Sequence, residues 1–191
     1  MRLYIQRLVY MQTILFRCRQ KDRKAQMELY RLHSRRLYFT CLRLLSLPEE
    51  AEEAMQDSFI KIFDHLDSFK DGTNFEAWSV RIAVRTAIDR LRKRKVLFEP
   101  LQDNLLEDTG EDPAEENYFR RNPTVSIERI RNALGELPQG YRVVLTMHWF
   151  EGFDFEEMAQ ILQLKPSSIR SQYVRGKQKL LERIQIERNE S

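Results

Sequence analysis

Six acid or amide side chains crowd into nine positions: Glu49, Glu50, Glu52, Glu53, Gln56 and Asp57. On a helix, Glu49 and Glu53, and Glu53 and Asp57, stand one turn apart. That spacing suits two chemistries: holding Mg²⁺ for hydrolysis, or presenting an acidic face to a basic partner. Acid in a first turn also complements the helix dipole, by about 0.3–1 kcal/mol per residue, which accounts for part of the cluster. The metal chemistry needs further carboxylates on a facing helix. The neighbouring segment, 74–95, offers mainly Asp89 among arginines.

That segment, NFEAWSVRIAVRTAIDRLRKRK, carries a second kind of chemistry. Ala77, Val80, Val84, Ala87, Ile88 and Leu91 recur at three- and four-residue steps and form an apolar stripe. The other side mixes Trp78, Arg81, Ile82, Arg85, Asp89 and Arg92, and the end is nearly continuous positive charge. An indole among guanidiniums suits stacking on nucleic acid; a solvated basic helix with one exposed Trp is the alternative. A third set lies near the C-terminus. In 166–184, Ile169, Tyr173, Gly176 and Leu180 point one way, while Ser167, Arg170, Ser171, Val174, Arg175 and Gln178 point the other. Short hydroxyls with arginines fit phosphates and base edges in a major groove.

The elements that must position these sets are helical. Hydrophobic residues make up 42% and charged residues 32%, and Gly and Pro number only 6 each, too few for a turn-rich β-sandwich. The net charge of +3 is small because acid and base are segregated along the chain. Two cysteines and three scattered histidines make no disulfide or metal framework, so a reduced, cytoplasmic protein is expected. No apolar run is long enough to cross a membrane. The N-terminal stretch to about Ile14 shows little regular pattern and lacks a signal-peptide cleavage site, and Met11 is an alternative start.

Helices are expected over 24–45, with Leu29, Leu32, Leu37, Leu42 and Leu45 apolar and Tyr30 and Tyr38 packed with them, and over 49–66, after Pro48. The second buries Ala51, Met55, Phe59, Ile62, Phe63 and Leu66. A polar turn, 68–74, leads into 74–95, with Thr73 or Asn74 as N-cap. Between Lys95 and Arg120 there is no Lys or Arg, whereas eight acids accumulate beside Pro100, Gly110 and Pro113. This reads as an acidic, flexible linker between two domains. Beyond it, Ile127, Ile130, Leu134 and Leu137 mark a short helix, 141–150 a strongly apolar one, and Asp154 with Glu157 a capping box. A turn at Gln163–Lys165 then opens the last helix. Small Ala159 lets two helices approach closely, giving a helix-turn-helix.

PEEAEEAMQDSFIKIFDHLDSFKDGTNFEAWSVRIAVRTAIDRLRKRK (48–95) resembles the second region of bacterial sigma factors, and GELPQGYRVVLTMHWFEGFDFEEMAQILQLKPSSIRSQYVRGKQKLLERI (135–184) resembles their fourth. Both parts, their order and the tether match the small extracytoplasmic-function type over roughly Ile14 to Ile184. The resemblance implies an all-α fold: region 2 over 1–98, linker over 99–123 and a region 4 helix-turn-helix over 124–191. It implies that Glu50, Glu52, Glu53, Gln56 and Asp57 dock on the clamp helices of the largest subunit of core RNA polymerase. By the same resemblance Phe69, Lys70, Asn74, Trp78, Arg81, Arg85 and Arg92 take the −10 strand, capturing a base turned out of the stack. Ser167, Arg170, Ser171, Val174, Arg175 and Gln178 take the −35 duplex. Related sequences often carry Asn at the position of Arg85, Gly at that of Gln163 and Ala at that of Gly176. An anti-sigma factor is a further implied partner. No cofactor, metal, small-molecule substrate, membrane insertion or enzymatic step is expected; a glycine-rich phosphate loop is absent. The alternative is a helix-turn-helix regulator acting without polymerase.

Overall fold

A computed structural model describes residues 2–70, 73–94 and 127–189. Among these, every regular element is helical, and the chain divides into two compact units, Met1–Lys93 and Arg94–Ser191. The linker assigned to 99–123 lies outside the described residues.

The first unit contains α1 (Arg2–Arg19), α2 (Arg23–Leu45), α3 (Pro48–Asp64), a 3-10 turn (Leu66–Ser68) and α4 (Phe75–Lys93). α1 is longer than its weak pattern suggests. It is held by Ile14, Leu15 and Cys18, which are buried against the rest. Burial pushes the Cys18 thiol up to about 11, which keeps it protonated and unreactive. The α1–α2 corner is built by Asp22, which caps the Lys24 and Ala25 amides at 2.8 and 3.3 Å and pairs with Arg17 at 2.8 Å.

α2 buries Leu29, Leu37 and Leu45 as expected, but Leu32 is 48% exposed and Leu42 half-buried. Leucines spaced over 23 residues cannot all share one face at 3.6 residues per turn, so His33, Thr40 and Cys41 take core positions instead. Tyr30 packs on Phe59 with centroids 4.7 Å apart. Pro48 opens α3, which buries Ala51, Ala54, Met55, Ser58, Phe59 and Ile62, with Phe63 half-buried. Asn74 is the side chain that caps α4, accepting from the Ala77 amide at 3.2 Å. Thr73 instead donates to the Lys70 carbonyl. The α4 stripe is buried except for Ala77, which lies half-open at the first turn.

The second unit contains α5 (Ile127–Glu136), α6 (Gln139–Trp149), α7 (Phe155–Leu162) and α8 (Pro166–Asn189). Its core joins Leu134, Leu137, Tyr141, Leu145, Leu180 and Ile184. Arg142 is 8% exposed and donates to the Gly135 and Leu137 carbonyls at 3.0 and 3.4 Å, closing the end of α5. The Asp154–Glu157 capping box forms as its spacing predicts. Gly176 is where α8 meets α6. A Cβ there would lie 3.1 Å from Tyr141 Cβ and 3.3 Å from the Leu145 side chain, so the missing side chain sets the helix separation.

α7 ends at Gln163 in the left-handed region (φ 57, ψ 42), with its amide and that of Leu164 returning to the Ala159 carbonyl. A side chain there costs roughly 1 kcal/mol. Gln163→Gly is therefore expected to raise the stability of this unit by about 1 kcal/mol, read as a higher urea midpoint. A lower midpoint would show that the Gln side chain has stabilising contacts that outweigh the strain.

Candidate polymerase and nucleic-acid interfaces

In the first unit, the turn after α3 and the start of α4 border an open pocket of about 410 Å³. Phe69, Lys70, Asn74, Ala77, Trp78 and Arg81 line it. Phe69 and Trp78 make its aromatic wall, their centroids 5.1 Å apart, and Phe75 completes a triad behind them, 5.6 Å from each. These tilted and edge-on rings stiffen one another. Trp78 is half-buried and Lys70 and Arg81 exposed, so a flat, apolar ligand with a phosphate on either side finds both stacking surface and cations.

Five of the seven residues assigned to the −10 strand thus meet in one pocket. Phe69 is 5% exposed, so its ring serves as wall rather than as a surface contact. Asn74 spends its oxygen on capping α4. Arg85 and Arg92 lie outside the pocket, further along α4; Arg85 is exposed, and Arg92 pairs with Asp89 at 3.1 Å.

Behind the triad stands His33, 9% exposed, its ring edge-on to Phe75 at 5.0 Å and its Nε2 without a hydrogen-bond partner. Burial lowers its pKa below 6.5, opposed by the Glu76 carboxylate, which pairs with Arg36 at 3.5 Å. The folded state therefore takes up the proton less readily than the unfolded chain. Stability is full above about pH 6.5 and falls as pH drops below it, levelling off once the folded imidazole itself titrates. The slope is at most about 1.4 kcal/mol per pH unit. Urea unfolding at successive pH values should show this component in the protein and lack it in His33→Phe; parallel curves would mean that His33 does not titrate differently on folding.

The acidic face of α3 is divided. Glu52, Glu53 and Gln56 are exposed, whereas Glu50 is half-buried, with Oε2 shielded from solvent. Arg90 of α4 forks onto two members of the set, Nη1 to Glu53 at 2.7 Å and Nη2 to Asp57 at 2.5 Å. The hydrogen bonds to Asp57 and then Glu53 raise its pKa. A guanidinium thus occupies the place where a Mg²⁺ between these carboxylates would sit. The i, i+4 acids were visible in the sequence, but their partner, 33 and 37 residues away, was not.

In the second unit, α7, the turn and α8 form the helix-turn-helix, with Ala159 at 7% exposure where the helices cross. Ser167, Arg170 and Gln178 are exposed and Ser171, Val174 and Arg175 half-buried, so all six −35 candidates reach solvent. Arg170 lies over the Phe155 ring at 5.7 Å and pairs with Glu156 at 3.0 Å. Tyr173 is only half-buried, packing edge-on against His148 at 5.0 Å and accepting from Trp149 Nε1 at 3.2 Å.

A cation-rimmed aromatic pocket in one helical unit and a helix-turn-helix in the other define a two-domain, all-α DNA-binding protein. Comparison with known proteins narrows the class. Residues 29–96 match the family described as Sigma-70 region 2, and 127–180 match Sigma-70, region 4. The chain is 33% identical over 129 residues to RNA polymerase sigma factor SigZ of Bacillus subtilis, covering 68% of this chain and 69% of that one. It is 30% identical over 154 residues to ECF RNA polymerase sigma factor SigE of Mycolicibacterium smegmatis, covering 80% of this chain but 59% of that longer protein. In fold it is similar to the sigma factor RpoE of Bartonella quintana, solved with the anti-sigma factor NepR, at a TM-score of 0.53 and 22% identity over 84% of this chain and 96% of that one. The chain belongs to the sigma-70 family of RNA polymerase sigma factors, in its extracytoplasmic-function branch.

Proposed function

We propose that the three surfaces divide the work of promoter-specific initiation. α3 docks on the clamp helices of core polymerase through Glu52, Glu53 and Gln56, with Glu50 and Asp57 behind them. α8 reads the −35 duplex through Arg170, Ser171 and Arg175, flanked by Ser167, Val174 and Gln178. The pocket of Phe69, Lys70, Asn74, Trp78 and Arg81 captures a base of the −10 strand, and Arg85 and Arg92 follow its backbone. On this reading 1–98 acts as region 2, 124–191 as region 4 and 99–123 as the tether. The protein makes and breaks no covalent bond, works in the cytoplasm with DNA and polymerase as partners, and is restrained by an anti-sigma factor.

The observation that carries the reading is the pocket: a stacking wall with Lys70 and Arg81 at its rim suits an unstacked base with its phosphates. Extruding that base costs a few kcal/mol, which stacking and backbone contacts offset. The test adds the purified chain to core polymerase and a genomic promoter library. Expected are initiation at a common motif and DNA affinity that falls with salt, with a log–log slope of about −0.9 for each duplex phosphate neutralised. Duplex binding without co-purification of core enzyme, and no specific transcripts, would favour a regulator that acts without polymerase.

A further inference from the structure

We propose that Arg19 is a positioning residue for strand capture, holding the wall of the pocket from the side away from the DNA. The inference rests on the pocket's reading as the strand site. Arg19 is the last residue of α1, and its guanidinium reaches under the 3-10 turn that leads to the pocket. Nη2 donates to the Phe69 carbonyl at 2.8 Å and Nε to the Leu66 carbonyl at 3.4 Å. The Leu66 carbonyl, at the start of the 3-10 turn, also accepts the Phe69 amide at 3.2 Å, whereas the Phe69 carbonyl lies one residue past the turn, where an acceptor needs a partner from outside it. Phe69 is thus fixed twice: its backbone by Arg19, its ring by Phe75 and Trp78.

The consequence is geometric. Phe69 forms one wall, and Lys70 at the rim is the next residue, so a shift of the 66–69 backbone moves a stacking surface and a phosphate contact together. A planar fork with donors in fixed directions holds two carbonyls better than a flexible ammonium. Delivery of the fork depends on the α1–α2 corner, where Arg17 and Asp22 are paired and Lys21 takes a positive φ of 58. α1 therefore takes part in DNA recognition without touching DNA.

The experiment uses the full chain bound to core polymerase and single-stranded oligonucleotides that differ only in the captured base. Arg19→Met should weaken binding of the preferred oligonucleotide roughly tenfold, the scale of a lost charge-assisted hydrogen bond. It should also bring the ratio between preferred and other bases toward one, while affinities for core enzyme and for −35 duplex stay unchanged. Arg19→Lys should restore part of the ratio. Should Arg19→Met not fold, Arg19→Gln, which retains one donor group, takes its place, with the same flattening expected. A uniform loss across all oligonucleotides with the ratio intact would overturn the proposal, as a purely structural role; so would no change at all. Failure of the strand reading is separately visible, since the unmodified protein would then show no base preference.

Discussion

Glu52→Lys with Gln56→Lys should weaken binding to core polymerase by about 2–5 kcal/mol, roughly 30- to 4,000-fold, and leave the fold of the first unit intact. Both side chains are exposed on one face of α3 and contact each other, Gln56 Nε2 donating to Glu52 Oε1 at 3.4 Å. Putting lysines there replaces attraction to a basic partner with repulsion and disturbs no packed group. Glu53→Lys with Asp57→Lys, the pair that the sequence alone would single out, is a poorer probe. It should also abolish docking, but Arg90 would then face two cations in place of two carboxylates, and lowered stability would accompany the loss. Because Glu53 is 65% and Asp57 46% exposed, solvent screens that penalty, which is on the order of 1 kcal/mol. Titration against core enzyme near physiological salt, beside a thermal melt, separates the two effects. Unchanged affinity in Glu52→Lys/Gln56→Lys would remove α3 as the docking element.

Arg170→Ala should cost about 1–3 kcal/mol in binding the −35 duplex and relax the preference at one base pair. In the free protein the guanidinium leans on Glu156 and over Phe155. An exposed pair of this kind is worth at most about 1 kcal/mol, whereas a bidentate contact to a guanine edge is worth about 1–3. Exchange onto DNA is therefore favourable only where the base offers two acceptors, and Glu156 raises the threshold for leaving. It follows that Glu156→Gln should strengthen binding to the matched duplex by up to about 1 kcal/mol, and binding to mismatched duplexes by less. Affinities for matched and singly substituted duplexes, measured with core enzyme present, check both variants. An equal loss on every sequence for Arg170→Ala would make it a phosphate contact, and no loss would take Arg170 out of the interface.

What the amino-acid order settled by itself is local. Period-3.6 apolar stripes mark α3, α4 and α8, Pro48 starts α3, and the Asp154–Glu157 spacing sets the start of α7. The exposed basic set on α8 was legible for the same reason: within one helix, spacing alone decides which residues share a face. The triad of Phe69, Phe75 and Trp78 was partly legible, since all three lie within ten positions, yet which ring would be wall and which would be open was not.

Only the tertiary structure decided the rest. α1 has a poor periodic signal; among its described side chains Ile14, Leu15 and Cys18 reach the core, and it is placed by contact with α2 and the turn rather than by pattern. Arg19 reaches carbonyls 47 and 50 residues away, and Arg90 reaches carboxylates 33 and 37 residues away. His33 occupies a core place that leucine periodicity gave to Leu32, and the closeness that Gly176 allows depends on Tyr141 and Leu145 in another helix. Such partners depend on how packed helices cross, and the crossing is set by the sum of many weak apolar contacts across the whole unit. No short window of sequence contains that sum.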